Sequence, residues 1–300
     1  MTIEKVVIAG GGTMGSQVAF QIAFSGLAVT VYDVSPAASA AAKRRVATWD
    51  RTYMRERQAT PAMIKATNDR LHYATDLETA VEDADLVIET VPEVVAVKNE
   101  FYALLAKVAP AKTIFATSTS TMLPSQFAAI TGRPGQFLAL HFTNHVWVNH
   151  LAEIMGHPGT DPAVYQAVVA FVRQIGLIPI QLQREHPAYI LNAMLDSFLS
   201  TALMLWVKGV ADFETIDRTW MMATGAVRGP FAVLDEIGLK TAYKLMLAAS
   251  AEPGREGLVM VAHRIKVELI DQHRLGQETG AGFYRYPHPA YQRPGFVEDE

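Results

Sequence analysis

Three glycines set directly behind a short apolar run constrain this chain more than anything else in it. Val6 to Ala9 is apolar and bounded by glycine, the pattern of a central parallel strand buried on both faces. Gly10, Gly12 and Gly15 follow as G-x-G-x-x-G, with Thr13 and Met14 between the last two, and Ser16 to Ala23 then reads as a helix. Each glycine has a mechanical use. Gly10 permits a tight turn, Gly12 lets a pyrophosphate approach the backbone, and Gly15 lets the helix sit close to the strand. The start of that helix would aim free N–H groups and a partial positive charge at the pyrophosphate.

A glycine-rich turn can also be purely structural, so the next segment matters. Leu27 to Tyr32 reads as a second strand, rich in β-branched and aromatic residues, and it ends in Asp33. Asp33 lies 18 residues beyond Gly15, near the ~20 expected of a carboxylate that holds an adenosine ribose. The alternative is a helix cap or a solvated loop acid. A carboxylate there repels a 2′-phosphate, which favours NAD over NADP.

Composition sets the outer bounds. With 300 residues, half of them hydrophobic and 19% charged, the chain can build one large or two moderate globular cores. A net charge of −4 gives no reason to expect a nucleic-acid partner. The absence of cysteine removes disulfides, thiolate catalysis and cysteine-ligated zinc, and no metal is expected. The chain enters a strand at once, with no basic-then-apolar leader, so a cytoplasmic location is expected. The apolar stretch from Ala188 to Val207 is interrupted by Asn192, Asp196, Ser197 and Ser200, which makes it a buried helix and not a membrane span.

Along the chain, Ser35-Pro36 starts a helix reaching about Gln58, and Thr60-Pro61 starts a second. The arginines and lysine between Lys43 and Arg57 read as a solvated helix face, with contact to substrate phosphates as the alternative. Asp85 to Glu93 is a buried strand running into a loop. Glu93 and Lys98 sit near its carboxyl end, where ligands of doubly wound sheets bind, or else form a surface pair. Thr113 to Thr117 is the next strand. The hydroxyls from Ser118 to Thr121 can hold a substrate oxygen or cap a helix after Pro124. Phe137 to Asn144 ends a strand with His141, and Asn149 to Met155 carries Glu153 on what should be the neighbouring strand. A carboxylate beside an imidazole fixes its tautomer and raises its basicity, which suits a general base; a lone core histidine is the plainer reading. Ile178 to Leu182 is the last strand. Beyond it helical periodicity takes over to about His273. The expected organisation is therefore a Rossmann-type doubly wound, mostly parallel α/β sheet over residues 1–184, then an all-helical domain over 185–300. The methionines at 194, 204, 221, 222 and 246 read as core or dimer surface, and Pro287 to Glu300 as a loose tail.

Taken together, these motifs resemble the L-3-hydroxyacyl-CoA dehydrogenases over nearly the whole length. The resemblance rests on Gly10 to Gly15, Ala84 to Glu89, Glu93 with Lys98, Thr119-Ser120, His141 to Asn144 with Glu153, and Asn192. It continues in Gly229-Pro230-Phe231, Leu234-Asp235, Gly238-Leu239 and Thr279 to Tyr284. It implies NAD as cofactor, a small-molecule substrate (an acyl-CoA or another 3-hydroxy acid), and a homodimer formed through the helical domain; the alternative is an NAD-binding structural protein without turnover. By the same resemblance, His141 would be the base and Glu153 its orienting acid. Ser120, Asn144 and Asn192 would hold the reacting oxygen, the thioester side and the nicotinamide end in register. Asp33 would take the adenine ribose, and Glu93 and Lys98 would lie along the cofactor. Four departures cluster around the substrate: Ser118 for the family's Asn, His145 for its Pro, Ala193 for its Arg, and Glu278 for a basic residue. With Trp147 and His150, His145 would reshape the pocket for another 3-hydroxy acid, as in the related gulonate or carnitine dehydrogenases; the alternative is drift of the loop.

Overall fold

The computed structural model describes residues 2–298 of the chain. In chain order the first unit contains β1 (Lys5–Ala9), α1 (Thr13–Phe24), β2 (Ala28–Tyr32), α2 (Pro36–Glu56), α3 (Pro61–Asn68), β3 (Leu71–Ala74), α4 (Leu77–Val81) and β4 (Leu86–Glu89). It continues with α5 (Val95–Val108), β5 (Ile114–Thr117), β6 (Phe137–Phe142), β7 (Leu151–Met155), α6 (Pro162–Gln174) and β8 (Ile178–Leu182). The strands form one sheet in the order β3-β2-β1-β4-β5-β6-β7-β8. β1 to β6 run parallel; β7 is antiparallel to β6, and β8 is parallel to β7. The fold is the Rossmann-type doubly wound, mostly parallel sheet followed by a helical unit. Strand order reverses between β1 and β4, so the turn after β1 opens at the switch point where ligands of such sheets bind.

Burial explains the strand sequences. β4, β5 and β6 are buried along their whole length, and β1 from its second residue on, as expected for parallel strands covered by helices on both faces. β3 has no counterpart among the strands expected from sequence. It is a four-residue edge strand with a buried Leu71 and an exposed His72, too short and too polar to stand out. Pro124 starts a single 3-10 turn over Pro124–Gln126 and not a helix.

The first compact unit ends at Leu191 and the second begins at Asn192. The second holds α7 (Leu191–Val207), which starts at that junction, then α8 (Phe213–Thr224), α9 (Pro230–Ile237), α10 (Leu239–Ala249) and α11 (Leu258–Glu268). No helix among the described residues is long and apolar enough to cross a membrane. Two buried aspartates organise this unit. Asp217 of α8 accepts hydrogen bonds from the Phe231 and Ala232 N–H groups at the start of α9 (2.8 and 3.1 Å) and from the Tyr284 hydroxyl (2.9 Å). Asp235 of α9 accepts from the Phe283 and Tyr284 N–H groups (both 2.8 Å) and from the Tyr286 hydroxyl (3.1 Å). A Cβ on Gly229 would lie 2.3 Å from Asp217 Cγ, and one on Gly282 1.9 Å from Asp235 Oδ1. Only glycine lets the backbone come that close.

The last segment corrects an expectation. Residues 287–298 are not a loose tail: Tyr291 and Phe296 are buried in the helical core, and Tyr291 meets Tyr284 edge-on at 5.0 Å. Aromatic anchors spaced along a proline-rich segment bury area without regular structure, which periodicity cannot reveal. Residues 299 and 300 of that expectation lie outside the described residues.

Candidate active site

The glycine turn has the shape that its spacing predicts. Gly10 has φ +104°, and a Cβ there would lie 2.8 Å from the Thr90 carbonyl oxygen. A Cβ on Gly15 would fall 2.0 Å from the Gly10 oxygen, so α1 can approach β1 only with glycine. At Gly12 a Cβ would meet nothing within 4 Å. Gly12 is also the N-cap of α1, whose first turn has no capping side chain and no acid. An open face in front of uncapped helix N–H groups fits a pyrophosphate. Thr13 is exposed in that first turn and Met14 half-buried. Asp33, at the end of β2, accepts from the Gly11 N–H (3.1 Å) and the Val34 N–H (3.0 Å), which anchors its carboxylate beside the turn. The site fits the nucleotide expected from sequence.

Beside the turn, at the carboxyl ends of β4 and β5, lies an ionic network that the sequence reading only partly named. In register, Ala9 pairs with Glu89 and Glu89 with Thr117. Glu89 is fully buried and accepts from Lys98 Nζ (2.7 and 2.9 Å), the Tyr102 hydroxyl (2.9 Å), the Thr117 hydroxyl (2.9 Å) and the Val91 N–H (2.9 Å). Lys98 also meets Glu93 at 3.2 Å. It is 1% exposed, so the surface-pair alternative is excluded, and its ammonium is held between two carboxylates. Glu93 in turn accepts from the Thr119 hydroxyl and from the Ser120 and Thr121 N–H groups (3.0 and 3.3 Å). Burial pushes the Glu93 carboxyl up, but the Thr119 hydroxyl and Lys98 outweigh it and hold it below the usual range. The network shapes the loop that carries Ser120, an exposed residue. Breaking such a buried pair costs about 3–5 kcal/mol because the remaining charge is stranded.

His141 is the fifth residue of β6 and stands directly opposite Glu153 of antiparallel β7. Directly opposed side chains share a face of the sheet, and His141 Nδ1 lies 3.0 Å from Glu153 Oε2. The other carboxylate oxygen accepts from the Ile190 and Leu191 N–H groups at 2.9 and 3.0 Å, where α7 begins. Burial pushes the Glu153 carboxyl up; the imidazole and these two N–H donors more than offset that and keep it ionised. Tyr189 lies against the imidazole, with ring centroids 4.6 Å apart and planes 21° apart. Ala188 and Tyr189 both have left-handed backbones, at φ +62° and +59°, each costing a non-glycine residue about 1–2 kcal/mol. Asn144 is exposed in the loop after β6, and its carbonyl accepts from the Asn149 side chain at 2.7 Å. Asn192 is half-buried in the first turn of α7, in the helical unit.

The loop after His141 is held from behind, which overturns the pocket role expected of Trp147. That side chain is 5% exposed, packs on Trp49 (4.9 Å) and near Tyr53 (6.1 Å) of α2, and donates to Glu56 at 2.5 Å. His150 lies 2.6 Å from Arg57, and His145 has φ +59° with its N–H on Gln17 (2.8 Å). A Trp147 side chain buried this way sets the path of the loop and does not line a pocket. α2 binds the glycine turn too: Arg45 donates to the Gly11 carbonyl (2.5 Å), and Trp49 donates to Ser16 (3.2 Å). Two of the arginines read as a solvated face, Arg45 and Arg57, are therefore structural links. Sequence reasoning missed Glu89, Tyr189 and Arg45. The spacing Ala42, Arg45, Trp49, Tyr53, Glu56, one face of a helix, was the available signal for the third.

Comparison with known proteins agrees with this geometry. The family model for the NAD binding domain of 3-hydroxyacyl-CoA dehydrogenase matches residues 5–185, and the model for the C-terminal domain of the same family matches residues 189–286. A mitochondrial hydroxyacyl-coenzyme A dehydrogenase of Rattus norvegicus is 31% identical over 95% of this chain and 91% of its own length. A probable 3-hydroxybutyryl-CoA dehydrogenase of Bacillus subtilis is 30% identical over 95% of this chain and 98% of its own. A solved diketoreductase, described for substrate-directed dual catalysis of dicarbonyl compounds, superposes with a TM-score of 0.91 at 48% identity, covering 95% of this chain and all of its own. A glycine turn built for NAD, a histidine facing a glutamate across two antiparallel strands, and these matches over both units make the chain a member of the 3-hydroxyacyl-CoA dehydrogenase family.

Proposed function

We propose that this protein oxidises the 3-hydroxyl of an L-3-hydroxyacyl-CoA to the 3-ketone, and catalyses the reverse, with His141 as general base. The observation that carries this reading is the His141–Glu153 pair at the carboxyl edge of the sheet that bears the NAD turn. Bound NAD supplies the hydride acceptor. With Nδ1 held on Glu153, Nε2 is the nitrogen that takes the hydroxyl proton, and Glu153 stabilises the imidazolium so formed. In reduction the imidazolium returns that proton to the ketone oxygen, and Ser120 and Asn144 polarise it as donors. Asp33 would hold the adenosine ribose. A homodimer through the helical unit and a cytoplasmic location belong to the same reading; exposed Met194, Val210, Met222 and Val227 on that unit support the dimer.

A second reading keeps the chemistry and drops the thioester. The 48% identity to a diketoreductase exceeds the 30–31% to the CoA enzymes cited above, and a 3-ketoacyl thioester is itself a 1,3-dicarbonyl compound. The test is NADH formation from L-3-hydroxybutyryl-CoA beside L-gulonate and carnitine, and NADH consumption with a dicarbonyl compound that carries no CoA. Turnover of the thioester at least tenfold more efficient than of the others supports the first reading. Activity only without CoA replaces it with the second, and NAD binding without turnover of any of them defeats both.

A further inference from the structure

Tyr189 has no part in the chemistry outlined so far, yet the structure holds it with unusual care. It is 1% exposed, and its ring lies nearly parallel to the His141 imidazole at 4.6 Å. Its left-handed backbone, shared with Ala188, is kept in place by the next two N–H groups, both bound to Glu153. One carboxylate therefore fixes the edge of the imidazole directly and its face through Tyr189. The tyrosine hydroxyl has no hydrogen-bond partner among the described residues. Buried phenols normally find one, so hydrogen bonding by the hydroxyl does not explain why the ring is there.

We propose that Tyr189 is a positioning residue for His141. Its ring face holds the imidazole plane so that Nδ1 stays on Glu153 and Nε2 on the reacting oxygen, and its π-electrons stabilise the imidazolium formed when the proton is taken. The inference rests on His141 being the base. The titratable groups that face this pair are Glu153 from β7 and, around the hydroxyl end of Tyr189, Glu89 of β4, Glu93 of the following loop and Tyr102 of α5. Glu153 acts on both rings, so the aromatic contribution has to be read by difference.

Tyr189→Phe keeps the face and removes only the unpartnered hydroxyl; Tyr189→Leu removes the face. For the phenylalanine variant kcat, the pH profile and the KM for NAD should stay within about twofold of wild type. For the leucine variant kcat should fall about tenfold with the KM for NAD unchanged, and the acid limb of the oxidation profile should move down by about half a unit. The His141 titration midpoint, followed by NMR in the free enzyme and assigned with His141→Gln, should move down by the same amount. An unmoved midpoint in Tyr189→Leu overturns the proposal, and so does an equal shift in Tyr189→Phe. If the leucine variant does not fold, Tyr189→Met carries the same expectation. A moved midpoint together with full turnover in His141→Gln would keep the stack and reject the base, which separates the two failures.

Discussion

In the nucleotide-binding unit Glu89, Glu93 and Glu153 share their surroundings with Lys98 or His141, whereas in the helical unit Asp217 and Asp235 face backbone N–H groups and tyrosine hydroxyls. All five carboxylates order a turn or a helix start. Burial pushes Glu93 and Glu153 up, but their partners win and hold both below the usual range. Burial wins at Asp217 and Asp235, which are pushed up to about 6 despite three hydrogen-bond donors each. At Glu93 Lys98 adds a positive charge to the neutral donors, and at Glu153 the imidazole adds a donor to two backbone N–H groups. The contrast gives the pairs different work: under the proposed function Glu153 would keep a charge ready for chemistry, while the two aspartates fasten α9 and the C-terminal aromatic segment.

The comparison breaks most visibly at His141. His141→Gln should lower turnover by about 10²–10⁴-fold, the scale of a lost general base, while NAD still binds in a fluorescence titration. Unchanged turnover would leave Glu153 as structural as the aspartates. Acid is the next lever, and the signs oppose each other. Asp217 and Asp235 contribute stability that is fully present below about pH 3.8 and is lost as pH rises through about 6. Glu93 and Glu153 contribute stability present above about pH 4.5 and lost as pH falls below it. Between pH 7 and pH 5 the helical unit should therefore gain on the order of 1 kcal/mol per aspartate. Hydrogen exchange resolved by unit reads this, with Asp217→Asn and Asp235→Asn flattening the gain; a helical unit better protected at pH 7 would contradict the contrast. Asp33 sharpens the comparison with the smallest effect. Its carboxylate accepts backbone N–H groups alone, whereas the two aspartates also accept tyrosine hydroxyls, and it is half-buried where they are buried. Asp33→Ala should weaken NAD by up to about tenfold, on the order of 1 kcal/mol, and relax discrimination against NADP. Equal affinity for NAD by calorimetry would remove Asp33 from the cofactor site.

Much of the nucleotide unit is legible because its cues are local. An apolar run, a glycine that must have positive φ, and Ser35 and Thr60 capping helices that begin with proline each act within a few residues. What escaped reading acts across the fold. Glu89 looks like the polar end of a strand until Lys98, Tyr102 and Thr117 close over it. Trp147 looks like a pocket residue until α2 packs on it. Tyr189 is one aromatic in a linker until the chain folds back over β6. The methionine series divides in the same way: Met221 and Met246 are core, Met194 and Met222 exposed, and helical spacing alone does not say which.

By itself the amino-acid order determined the strand–turn–helix for the dinucleotide, the carboxylate after β2, and a histidine and a glutamate on successive strands. Those depend on backbone sterics and side-chain alternation, which any short segment carries within itself. Only the tertiary structure decided that β6 and β7 run antiparallel in the register that opposes His141 to Glu153, and that one carboxylate also holds the start of α7. It also decided which buried acids keep a lysine or an imidazole beside them. Register and desolvation are set by groups distant in sequence, and charge inside a protein is governed by what surrounds it in space.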